Sequence, residues 1–185
     1  DLISKVYVTS SGVDGITNGN ALVNEVELEI GGQRIDKHTG HWMETWAELT
    51  EPNPTGAKVS GAAAAPGGAT KYQLMARAGG TVQWDTTGTG RFFVPLQFWF
   101  CRNPGLALPL IALQYHEVKI NIEFNSLKEC YYSLRTDTND NADSLFTMTG
   151  LSLGSETNLY VDYIYLDTAE RQRFAQVSHE YLIEQ

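Results

Sequence analysis

Polar and apolar residues alternate strictly over Val23 to Ile30. Val26, Leu28 and Ile30 fall on one side, Glu25, Glu27 and Glu29 on the other. A period of two over that length predicts a strand with one buried face. Gly31-Gly32 offers the positive φ of a tight hairpin turn, so Gln33 to Lys37 is expected to run back alongside. Leu2 to Thr9 alternates in the same way with one slip: Ile3, Val6 and Val8 against Ser4, Tyr7 and Thr9. Tyr115 to Phe124 repeats the pattern, with Val118, Ile120, Ile122 and Phe124 against Glu117, Lys119, Asn121 and Glu123. Phe92 to Phe100 is aromatic and β-prone. Leu159 to Leu166 is apolar on both faces, which predicts a strand buried between layers. His179 to Ile183 reads as a last strand.

Helical signals are short. Thr39 reads as an N-cap, with Trp42, Met43, Trp46 and Leu49 at helical spacing behind it and Pro52 and Pro54 as stops. Leu106 to Leu113 is expected to turn helical after Pro109. Tyr72 to Ala78 is a further short helical piece, and Thr168 to Ala175 is a short charged helix or turn. Asn103-Pro104-Gly105 is a turn. Ser10 to Asn20 and Asp137 to Ser144 are polar loops. Residues 51–90 form a long excursion whose Ala/Gly-rich part, 56–68, has too few large side chains for a core element. Several strands, long connections and short helices predict an all-β chain arranged as a sandwich.

The 185 residues are one ordinary domain, long enough to bury a core without disulfides or metal. The net charge of −9 disfavours binding to phosphate backbones or anionic membranes as the main task. Cys101 and Cys130 are too few for a disulfide framework and fit a reducing compartment, with one bridge left open. The longest apolar run, Leu106 to Leu113, contains Pro109 and is far too short to span a bilayer. The strand pattern starts at once behind Asp1, and Glu184-Gln185 directly follows a strand-like run. Both ends read as those of a stretch within a longer polypeptide.

Reactive chemistry is sparse. No P-loop, G-x-S-x-G, H-E-x-x-H or CxxC pair occurs. His38, His41 and Glu44 are three apart, so a metal site is conceivable, although flanking an interface helix is the simpler reading. Asp137-x-Asn139-x-Asn141 starts like a calcium loop, but Ala142 and Met148 stand where a Gly and a bidentate Glu belong. His116-Glu117 and His179-Glu180 put neighbours on opposite faces of a strand, which suits structure better than a cupin-like site. Trp42, Trp46, Trp84 and Trp99 offer a platform for a sugar, though Trp42 and Trp46 at i and i+4 fit one packed helix face.

Three stretches are specific enough to carry a family. They are ELEIGGQRID at 27–36, VPLQFWFCRNPGLALPLIALQ at 94–114, and LYVDYIYLDTAERQRF at 159–174 with HEYLIEQ at 179–185. Together they resemble the major capsid proteins of the nucleocytoplasmic large DNA viruses, the group with the iridoviruses, the algal viruses and their giant relatives. The resemblance implies a double jelly roll. Residues 1–185 would form one N-terminal jelly-roll domain without its opening strand, and the second jelly roll lies outside this chain. A missing strand would expose a sheet edge. Residues 51–90 would be a variable outward loop on the capsomer tower. The resemblance further implies homotrimers of pseudo-hexagonal outline that tile an icosahedral shell over an inner membrane without inserting into it. Partners would be neighbouring capsomers and the minor capsid and penton proteins, with no direct nucleic acid contact, no cofactor and no catalysis. Assembly would take place in the host cytoplasm.

The aromatic surplus agrees with a shell protein, because interface centres favour aromatic residues and Arg. Trp42, Trp46, Trp99, Arg102, Pro104 and Leu106 are therefore the candidate subunit-contact residues, on the helix at 40–49 and the turn at 102–108. A carbohydrate-binding jelly roll is the alternative reading.

Overall fold

The computed structural model describes residues 1–10, 18–52, 70–76, 92–126, 130 and 157–183. Among the described residues, two antiparallel sheets enclose the core. In the first, β1 (Leu2–Ser10) pairs with β4 (Phe92–Pro95), β5 (Leu108–Pro109) and β7 (Asn158–Ile164). In the second, β2 (Val23–Ile30) lies between β3 (Gln33–Thr39) and β6 (Val118–Phe124). The slip in the β1 alternation is a bulge, where the β1–β7 register shifts between Ile3 and Lys5. The β2–β3 turn has Gly31 at φ 60° and Gly32 at φ 81°, the left-handed region that a tight hairpin needs.

Between the sheets lie Val6 and Val8 of β1, Val26 and Leu28 of β2, Phe92 and Val94 of β4, and Phe98 and Phe100 from the connection that follows. On β6, Val118, Ile120, Ile122 and Phe124 pack against this core while the residues between them face out.

Among the described residues, five short helices fill the connections: α1 (Gly19–Leu22), α2 (Gly40–Thr50), α3 (Lys71–Ala76), α4 (Trp99–Arg102) and α5 (Thr168–Gln176). Thr39 caps α2 by accepting a hydrogen bond from the Trp42 amide at 3.2 Å. Gly40 begins α2 because nothing larger fits. A Cβ there would collide with the backbone carbonyl oxygens of Asn20 and Val23. Gly40→Ala should therefore cost about 1–3 kcal/mol of stability through forced backbone movement. Gly32→Ala meets nothing within 4 Å and should cost about 1–2 kcal/mol through its left-handed backbone alone. Urea midpoints check both, and an unchanged Gly40→Ala midpoint would refute the packing argument.

Five expectations need correction. The aromatic run 92–100 is a strand only to Pro95, because Trp99–Arg102 close a helical turn. Leu106 to Leu113 forms no α-helix. Beyond the short β5 it runs as successive i→i+3 turns, with the Ala112 and Leu113 amides bonding to Pro109 and Leu110 carbonyls. His179 to Ile183 forms no strand, and it is held by the Tyr181 hydroxyl, which donates to the Ala107 carbonyl at 3.3 Å. β7 is not buried between layers. Leu159, Tyr160 and Tyr163 are exposed, since no described element covers them. His116 and His179 lie in a turn and an irregular segment rather than on strands. The readings of residues 11–17, most of 51–90 and the Asp137 to Ser144 loop, with Trp84, fall outside the described residues. Within the excursion, α3 matches the expected helical piece near Tyr72.

Candidate functional site

The helical i, i+4 spacing places Trp42 and Trp46 side by side on α2, stacked at 5.5 Å between ring centroids and 12° between planes. The short α4 turn brings Arg102 over them, 4.2 Å from the Trp46 ring and 5.5 Å from Trp42. A guanidinium over an indole face is held by the ring quadrupole. The Arg102 Nε donates to the Gln97 carbonyl at 3.3 Å, which fixes the head group on the rings. Both indoles are partly exposed, so the result is a rigid aromatic and cationic ledge on the surface.

Beneath the ledge sits His38, on β3 and 6% exposed. Its ring meets Phe98 edge-on at 4.6 Å and Trp42 at 5.5 Å. The Gln97 amide points at its Nε2 from 3.5 Å, so the ring accepts there and is neutral. Burial, then the nearby Arg102 charge, push its pKa from 6.5 down to about 4.

Of the six residues singled out from sequence, the fold brings Trp42, Trp46 and Arg102 into contact. Pro104 and Leu106 follow on an exposed 3-10 turn that Asn103 caps by accepting from the Gly105 amide. Trp99 is the exception. It is 3% exposed and packs edge-on against Phe100, so it serves the interior and not a surface. Its Nε1 is buried without an acceptor among the described residues.

The metal idea dissolves in the geometry. His38 is buried in the aromatic cluster, while His41 is exposed on α2. The Glu44 Oε2 accepts from the side-chain amides of Asn18 at 3.0 Å and Asn20 at 2.8 Å. The Tyr72 hydroxyl donates to Asn20 Oδ1 at 2.8 Å, which ties α3 to α1 and α2. Sequence reasoning missed this network and Gln97, because their partners are tens of residues away. Cys101 is a free thiol, and the Cys130 thiol donates to the Ala21 carbonyl at 3.2 Å. Burial pushes Cys101 up to about 12, which leaves it a poor nucleophile.

The family model described as the major capsid protein N-terminus matches residues 4–167. The chain belongs to the major capsid protein family of the nucleocytoplasmic large DNA viruses. It is 50% identical to the major capsid protein of Pyramimonas orientalis virus, over 100% of this chain and 42% of that one. It is 40% identical to the major capsid protein of Paramecium bursaria Chlorella virus 1, over 100% of this chain and 37% of that one. The crystal structure of PBCV-1 VP54, fitted into a reconstruction of the virophage Sputnik, superposes with a TM-score of 0.66 at 39% identity. That match covers 99% of this chain and 40% of VP54. The chain thus spans about two fifths of the length of these relatives, and its two-sheet sandwich is their jelly-roll fold.

Proposed function

We propose that the chain is the N-terminal jelly roll of a capsid subunit that assembles as homotrimeric, pseudo-hexagonal capsomers in the icosahedral shell of a large DNA virus. The subunit meets neighbouring capsomers and the minor capsid and penton proteins, over an inner membrane that it does not enter. It assembles in the host cytoplasm and works as a structural protein, not an enzyme. The relatives named as major capsid proteins support the shell role. The observation that carries the contact reading is the Trp42–Trp46–Arg102 ledge, an anchored aromatic and cationic surface of the kind interface centres use. Pro104 and Leu106 extend it as candidate contact residues. The exposed aromatic residues of β7 are further surface suited to burial by a partner. Carbohydrate binding gains no support, because the facing indoles are taken up by each other and by Arg102.

Trp46→Ala should weaken capsomers of the full-length protein by about 30-fold, as loss of a central anchor does. Strand content by circular dichroism should be retained. Light scattering after size exclusion reads the mass. Trimers of unchanged stability would remove the ledge from the interface.

A further inference from the structure

We propose that Asp36, His38 and Gln97 form an acid-operated latch, which holds Arg102 over Trp42 and Trp46 at neutral pH and releases it when the two buried side chains take up protons. Its consequence for subunit contact rests on the reading of the ledge as a contact surface. Asp36 and His38 are two residues apart on β3, so they share a face, and both are buried. Gln97 joins the histidine to the arginine. Its amide donates to the His38 Nε2 at 3.5 Å, and its carbonyl accepts from the Arg102 Nε at 3.3 Å. The guanidinium then lies 4.2 Å from the Trp46 ring centroid.

Both buried side chains act on the same cation, and acid turns both against it. As a carboxylate, Asp36 attracts Arg102, and burial raises its carboxyl so that a falling pH neutralises it early. His38 is neutral, with burial and then the Arg102 charge lowering its pKa to about 4. A proton on Nε2 sets N–H against N–H at Gln97 and puts a second positive charge beside the guanidinium. The other charged groups nearby are turned elsewhere. On β2, Val26 lies opposite His38 and Leu28 opposite Asp36, while Glu25 and Glu27 pair with Lys37 and Arg34. On α2, Trp42 touches the histidine, His41 is exposed, and Glu44 accepts from Asn18 and Asn20. On α4 the Cys101 thiol stays neutral, because burial pushes it up to about 12. The cleft beside Arg102, lined also by Lys5, Lys71 and Glu51, gives the guanidinium room to leave the rings. Lys5 there lies opposite Asp162 of β7.

Fluorine NMR of the full-length protein labelled with fluorotryptophan reads the latch, with the Trp46 line assigned through Trp46→Phe. Trp42 touches the histidine itself, so Trp46 is the reporter of Arg102. The native Trp46 line should move reversibly as pH falls from 7 to 4, while the line of Trp99, buried in the interior, stays in place. His38→Gln should lose most of that movement and Asp36→Asn a smaller part. Arg102→Gln has no guanidinium to release, so its Trp46 line should hold still. A native Trp46 line that does not move overturns the latch. So does one that moves only together with Trp99, which is unfolding, or one that moves equally in Arg102→Gln. Light scattering at pH 7 and 4.5 should show native capsomers losing more mass in acid than those of His38→Gln. A Trp46 line that moves while capsomers keep their mass at both pH values upholds the latch and overturns the contact reading alone.

Discussion

Replacing Phe98 with alanine is expected to lower the unfolding free energy by about 3–5 kcal/mol. The ring is fully buried and stacks on Phe100 at 5.6 Å with planes 8° apart. It also meets His38 edge-on at 4.6 Å. Truncation removes buried apolar area and leaves a cavity that its neighbours cannot fill, since β4 and α4 are tied on either side of it. The Leu96 amide bonds to the Val6 carbonyl at 2.9 Å, and the Cys101 amide to the Phe98 carbonyl at 2.9 Å. Loss of this size is a large fraction of the roughly 5–15 kcal/mol that holds a domain together. The effect should reach the surface, because His38 would lose its support under Trp42. Leu49→Ala is the control: Leu49 is 78% exposed and should change stability by less than about 0.5 kcal/mol. Urea midpoints of the full-length protein measure both. Equal midpoints for Phe98→Ala and Leu49→Ala would refute the assigned core.

The second large effect is on acid stability, through His38. Its pKa in the fold is about 4, from 6.5, with burial the main cause and the Arg102 charge the lesser one. The unfolded chain takes up this proton near the ordinary value, and the folded chain only near 4. Protons therefore favour unfolding between those values. The contribution is flat above about 6.5, and stability falls as pH drops through 6.5 towards 4, by roughly 3 kcal/mol at the low end. Asp36, on the same strand, acts in the opposite sense. Burial raises its carboxyl against the Lys37 amide and Arg102, so the fold takes up that proton more readily than the unfolded chain does. The difference between native protein and His38→Gln isolates the histidine. The variant should show a shallower loss of urea stability between pH 7 and 4.5, and the same slope in both would overturn the assignment. The ledge should follow. A proton on Nε2 would face the Gln97 N–H, and the same residue's carbonyl holds Arg102 over Trp46.

Local signals were legible wherever one physical cause acts over a few residues. The β2 and β6 alternations, the Gly31-Gly32 turn, the Thr39 cap and the α3 piece each need only a face to bury or a backbone group to satisfy. The bulge in β1 was visible as a slip in period. Misreadings arose where long-range packing overrides local preference. Trp99 to Arg102 are β-prone by type but close a helical turn, which buries Trp99 and Phe100 while carrying Arg102 out to the Trp pair. β7 looked buried because both its faces are apolar. Composition shows that a surface needs covering, not what covers it.

The sequence by itself determined the all-β sandwich, the capsid family and the placing of Trp42 and Trp46 on one helix face. Alternation, caps and helical spacing act between neighbours, and long motifs survive in linear order. Only the tertiary structure decided that Arg102 belongs over that pair and that Trp99 is buried in the interior. It also put His38 under the ledge and gathered Lys5, Lys71 and Arg102 around one cleft. Those outcomes depend on how β1, β3, α2, α3 and α4 pack, and contacts between segments distant in sequence leave no periodic trace in the chain.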